Sequence, residues 1–120
     1  MGSQMPAAIN VHPQKWGNDL TVLFDNGEYS VVSGTYQQDD GTTTHSLGER
    51  WNGDGDELGF PNCAGYPIFH VVPNLLAVPI LHGLLDEFSR QPVIADRDEY
   101  VRRIVRELQH QHAEFAAIAA

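Results

Sequence analysis

Apolar and polar positions alternate through the first half of the chain and recur at helical spacing through the second. Leu20-Thr-Val-Leu-Phe24 and Tyr29-Ser-Val-Val-Ser33 flank Asp25-Asn26-Gly27-Glu28. Asn-Gly between alternating runs predicts a hairpin, with a type I′ turn that needs positive φ at Asn26 and Gly27. That register pairs Phe24 with Tyr29, Val22 with Val31 and Leu20 with Ser33, and gives the hairpin one half-buried, mostly apolar face. Gly34 marks a bulge or bend. Thr35 to Gln38 continues the strand, Asp39-Asp40-Gly41 turns it, and Thr42 to Trp51 returns. On this return strand Thr42, Thr44 and Ser46 form a solvated face, while His45 and Leu47 turn inward. Ile9 to His12 reads as a short first strand, and Ile68 to Val72 as a buried strand stopped by Pro73.

From Val78 to Ser89 the period changes to that of a helix, with Val78, Leu81, Leu84, Leu85 and Phe88 on one face. Pro79 suits the first helical turn, Leu75 and Leu76 belong to a preceding 3₁₀ turn, and Pro92 ends the element. A last helix opens with Asp96-Arg-Asp-Glu99, a capping box with Asp96 as N-cap and Glu99 at the third position. Its apolar stripe is Tyr100, Val101, Ile104, Leu108 and Phe115. The fold class that follows is α+β: an antiparallel sheet of four or five strands, then two C-terminal helices packed on one face.

Length and composition narrow the classes. The 120 residues allow one domain, 1–120, able to bury about two-thirds of its unfolded surface around one core. Residues 1–5 read as a disordered segment or a cloning remnant. The 42% hydrophobic content argues against global disorder. One Cys excludes an intramolecular disulfide framework and points to the reducing cytoplasm. No apolar run is long enough to span a bilayer, so no membrane role is expected. A net charge of −9 repels phosphate backbones, which argues against nucleic acid. It suits solubility or a basic protein partner.

Between the two regimes lies Arg50 to Pro67, a segment with four Gly, two Pro, three aromatics and the single Cys. A long loop inside a small domain is either functional or pinned by its own packing. Arg50, Trp51 and Asn52 where it begins, with Phe60 and Tyr66 within it, are the candidate binding residues, because Arg and Trp carry disproportionate energy at interfaces. Trp51, Phe60, Tyr66 and Phe69, joined by Trp16, either line a small-molecule pocket or form the loop's own mini-core. The mini-core is the simpler reading.

Catalytic candidates are His70, His82, Asp86 and Cys63. His82 and Asp86 are four apart on a helix, so the carboxylate can orient the imidazole, with His70 joining from the preceding strand. The plainer reading is a boundary histidine beside a surface acid, since no nucleophile or oxyanion donor can be named. Cys63 requires a nearby His or helix N-terminus to become a reactive thiolate; a lone Cys otherwise packs as a small apolar residue. Glu107 and His110 have the Glu-x-x-His spacing of half a dimetal site, whose second half is missing. Arg103, Glu107, His110 and Glu114 read more simply as ion pairs on a solvated face. Asn52 to Glu57 opens like a calcium loop, but Glu57 and Cys63 stand where an EF-hand needs Gly and Glu. No metal and no cofactor is expected.

Leu47-Gly-Glu-Arg-Trp-Asn-Gly53, Leu58-Gly-Phe-Pro-Asn62 and Tyr66-Pro-Ile-Phe-His-Val-Val-Pro73 together resemble a pattern in short bacterial proteins, some carried on mobile gene cassettes of the integron type. The resemblance covers about a quarter of the chain. It implies a bacterial, cytosolic protein with an accessory role, and it transfers no functional residue. The expectation is a small acidic interaction protein, non-enzymatic and homodimeric, with a protein partner. The alternative is a small-molecule binder or hydrolase-like enzyme with a His/Asp site beside an aromatic pocket.

Overall fold

The computed structural model describes residues 15–53, 59–63, 66–90 and 96–119. Two compact units, Met1–Pro73 and Asn74–Ala120, divide the chain. The first holds strands β1 (Thr21–Asp25), β2 (Tyr29–Gln37), β3 (Thr43–Trp51), β4 (Asn62–Cys63), β5 (Tyr66–Pro67) and β6 (His70–Val72). An antiparallel sheet in the order β1-β2-β3-β6 is accompanied by the small β4-β5 pair. Two helices follow, α1 (Ala77–Arg90) and α2 (Arg97–Ala119). The expected α+β order of four antiparallel strands and then two helices is therefore present. The expected strand at Ile9 to His12 lies outside the described residues.

The first hairpin has a different register from the one its Asn-Gly predicts. Phe24 faces Val31 and Asp25 faces Ser30, so the turn centres on Gly27 and Glu28. Asn26 lacks the positive φ that a type I′ turn would require; Gly27 has it, at 92°. Side-chain bonding moves the turn. Asp25 accepts the Gly27 N–H, and Asn26 accepts those of Glu28 and Tyr29, a local competition typical of Asp and Asn. A bulge between Val22 and Phe24 then shifts the ladder by one residue, so that Val22 faces Val32 and Thr21 faces Ser33, still one residue from the expected pairing. It lets the consecutive Leu23 and Phe24 both be buried.

β2 is buried on both faces from Ser30 to Gly34, so the half-buried hairpin expected from alternation is instead a fully covered central strand. The ladder between β2 and β3 runs unbroken through Gly34, which is neither bulge nor bend. Its partner Ser46, expected on a solvated face, is buried. The Asp39-Asp40-Gly41 turn forms as expected, closed by the Gln38 N–H on Thr42 O at 2.7 Å. On one side of the sheet Trp16, Val32 and Phe69 form a buried cluster with Leu20, Val22, Tyr36 and Val71 around it. Gly48 makes this possible: a Cβ there would lie 2.9 Å from the Trp16 ring and 3.0 Å from Phe69. On the other side Val31, Leu47 and Val72 are buried.

In the helical unit a 3₁₀ turn at Asn74–Leu76 leads into α1, as the sequence predicts. Ala77, Leu81 and Phe88 are its buried residues, and among the described side chains of α2 Ile104, Glu107 and Leu108 are buried. The helices meet at Phe88 and Tyr100, whose rings stack 6.3 Å apart. The capping box does not form. Asp96 O accepts the Tyr100 N–H as an N-cap carbonyl should, but Glu99 accepts from Arg102 and Arg103 instead of turning back to the cap. Those arginines hold the Glu99 carboxyl below the usual range. Glu107, expected on a solvated face, is buried and accepts from Gln111 Nε2 at 3.0 Å.

Candidate functional site

The end of β3 reverses the usual distribution of polar and apolar groups. Successive strand residues point to opposite faces, and here Arg50 turns inward while Trp51 turns outward. Arg50 is 1% exposed. Its Nη1 donates to Ile68 O at 2.9 Å and to Pro61 O at 3.3 Å, which ties the returning loop to the strand. Loss of solvation pushes the guanidinium below its usual pKa, yet an arginine remains charged.

Asn52, also buried, completes the tether. Its N–H donates to Glu28 O at 2.7 Å and its Nδ2 to Asp25 Oδ1 at 2.9 Å, while the Ser30 hydroxyl bonds Asn52 Oδ1. Two polar side chains thus join the first turn, the end of β3, and the carbonyls of Pro61 and Ile68. Hydrogen bonds made by buried polar groups fix geometry, because each bond has a direction.

Beyond the strand, Phe60 pairs with Trp51 through two backbone bonds, Trp51 N–H to Phe60 O at 2.7 Å and Phe60 N–H to Trp51 O at 2.9 Å. Gly59 permits this approach. Its φ is 77°, and a Cβ would lie 2.0 Å from Trp51 O. Directly opposed residues in an antiparallel pair carry their side chains on the same side. Tyr29 is in turn opposite Trp51 on β2, so Tyr29, Trp51 and Phe60 make one lateral row. The Tyr29 and Trp51 rings meet edge to face, 4.7 Å apart at 67°. Trp51 is 58% exposed and Phe60 67%.

Two residues back along β3, and so on the same face, stands Glu49, with His70 opposite it on β6. The Tyr29 hydroxyl donates to Glu49 Oε2. His70 Nδ1 lies 3.7 Å from Glu49 Oε1, an ion pair whenever the imidazole is protonated. Desolvation raises the pKa of the Tyr29 phenol, and the Glu49 carboxylate raises it further. Aromatic row, carboxylate and imidazole form one contiguous surface of the sheet unit. Its chemistry suits recognition: flat apolar rings for contact, one acid for charge.

The sequence candidates are distributed unevenly over this picture. Trp51 and Phe60 belong to the row, and His70 borders it. Arg50 and Asn52 are buried beneath, where Arg50 Nη1 and the side-chain amide of Asn52 bond the scaffold. Tyr66 lies in β5 and Cys63 in β4, with side chains outside the described residues. His82 and Asp86 are exposed on α1, in the helical unit, and Asp86 pairs with Arg90 at 3.5 Å. The expected aromatic mini-core is corrected: Trp16 and Phe69 are in the core of the sheet, Trp51 and Phe60 stand in solvent, and Arg50 and Asn52 occupy the interior instead. The calcium-like stretch at 54–57 lies outside the described residues.

Tyr29 and Glu49 are the members that sequence reading missed. The spacing of Glu49 and Trp51, two apart on one strand, was the available signal. Among the described residues no group of three potential metal ligands occurs, and no helix is long and apolar enough to cross a membrane. No protein-family model, curated protein or solved structure matches the chain.

Proposed function

We propose that the chain is a small, acidic, non-enzymatic interaction domain of bacterial accessory type, cytoplasmic and homodimeric, whose recognition surface is the Tyr29–Trp51–Phe60 row. The observation that carries this reading is the exposure of Trp51 and Phe60 on a backbone tethered from below by hydrogen bonds. Folding would bury such rings if burial were their purpose; a Phe side chain gains about 1.5–3 kcal/mol when fully removed from water. Adjacent exposed aromatics on an ordered strand mark interaction surfaces. Self-association has a separate support in the helical unit, where Leu75, Leu76 and Val105 are exposed at 79%, 43% and 41%. A second copy covering them would remove that apolar area from water.

Native mass spectrometry of tag-free protein is expected to give a dimer without added mass. A retained metal or small molecule would contradict the non-enzymatic reading. For the recognition surface, peptides selected from a random library against the dimer should lose binding to a Trp51→Ser, Phe60→Ser double variant. Selected peptides that bind the variant equally well would remove the row from the account.

A further inference from the structure

We propose that the row takes a positively charged side chain, an arginine or lysine carried by a partner peptide, seated on Trp51 and facing the Glu49 carboxylate. This deepens the interaction reading above and rests on it.

Three observations converge on a cation. The first is shape and polarity: Tyr29 and Trp51 present rings at 67° to each other, and more than half of Trp51 is open to solvent. An aromatic ring is negative over its face and attracts a cation within about 6 Å of its centroid, indole most strongly. The second is Glu49, whose side chain is 35% exposed. The Tyr29 hydroxyl donates to Oε2 and so holds the carboxylate beside the rings. An ionised carboxylate has about four acceptor positions; one bond from Tyr29 leaves the others for a ligand. An apolar partner would cover this acid without compensating it, which is costly, whereas a cation compensates it.

The third observation is the surrounding charge. The chain carries 16 acids against 7 bases, a field that draws basic partners toward it. Arg50 is the one Lys or Arg in β1, β2, β3 and β6, and it lies at the alternate register, buried and bonded to Ile68 O and Pro61 O. It therefore does not occupy the place of the ligand cation. His70 is the other titratable group facing Glu49, and its exposed ring, 3.7 Å away, can yield to a stronger donor.

The two tryptophans make the test direct. Trp51 is at the row, and Trp16, buried in the sheet core, reports whether the fold is intact. In a ¹H–¹⁵N spectrum, a peptide of four Gly-Arg repeats should shift the Trp51 indole N–H saturably and leave that of Trp16 in place. Glu49→Gln should weaken the peptide at least ten-fold, while Asp98→Asn, which removes one charge from exposed α2, should change affinity less than two-fold. An equal loss in both variants would overturn the inference in favour of diffuse charge attraction. So would an equal Trp51 shift from four Gly-Leu repeats, although the interaction reading would then stand. If the Gly-Arg peptide leaves Trp51 unmoved while library peptides still require Trp51 and Phe60, the cation is wrong and the surface is right. If neither depends on the row, both fall.

Discussion

The middle and the end of β3 are built by opposite rules. At Leu47 and Gly48 the interior is apolar: Leu47 is buried beside its β6 partner Val72, and Gly48 lies beneath the Trp16 ring. Two residues on, the buried side chains are Arg50 and Asn52, and the indole between them faces water. Apolar burial is non-directional and fills space. Polar tethers hold particular atoms in particular places, here Pro61 O, Ile68 O, Asp25 Oδ1 and Glu28 O. The lesson is that a loop supported from within by hydrogen bonds can leave its aromatic residues outside, where they are available to a partner.

Substitutions in the middle and at the end should therefore differ in kind as well as in size. Leu47→Ala should cost about 3 kcal/mol through lost burial and a residual cavity, measured by urea unfolding. The Trp51 indole resonance should not move. Arg50→Met keeps volume but strips the donor from two carbonyls, and should cost about 2 kcal/mol. Here Trp51 and Phe60 should change environment, because the tether between strand and loop is gone. If Arg50→Met lowers stability without disturbing Trp51, the buried guanidinium is only a packing element. Asn52→Ala should cost about 1.5 kcal/mol and loosen the first turn, with Gly27 and Glu28 amides exchanging faster.

The smallest effect is a pH dependence. The pKa of Tyr29 is raised in the folded chain by desolvation and by Glu49. The stability it contributes is full below the ordinary tyrosine value, near 10, and is lost as pH rises through the folded value. Tyr29→Phe should therefore lower stability in the neutral range by the lost hydrogen bond to Glu49, about 1 kcal/mol, and flatten the alkaline limb of the stability profile. An alkaline limb identical in both proteins would show that Tyr29 is not held against Glu49.

Much of this was legible in the sequence, and the misses have physical causes. Helix periodicity located α1, its 3₁₀ lead-in and α2, with Ile104 and Leu108 of its stripe buried, because a 3.6-residue repeat over many residues is hard to mistake. Alternation located β1, β2 and β3 as well. It misplaced the first register because Asp25 and Asn26 capture backbone N–H groups, and the bulge at Leu23 takes up only one residue of the two-residue slip. It misread β2 because a strand covered on both faces still contains serines. At the site, the segment was recognised but its polarity was inverted. Residue type suggests that Arg binds and Trp packs. At this strand end the register puts Arg50 inside and Trp51 outside, and no pattern in one sequence reveals which side of a strand end will be covered. Glu49 and Tyr29 escaped notice for a related reason: they become neighbours only once β2 and β3 are paired.

The most direct test of the central claim is amide hydrogen exchange at Trp51, Asn52 and Phe60, each of whose N–H groups is bonded to a named carbonyl. Protection should be comparable to that of Leu47 and Gly48, and lost selectively in Arg50→Met. Exchange of Trp51 and Phe60 at the rate of an open loop in the native protein would contradict it, because the aromatic row would then have no fixed place from which to bind.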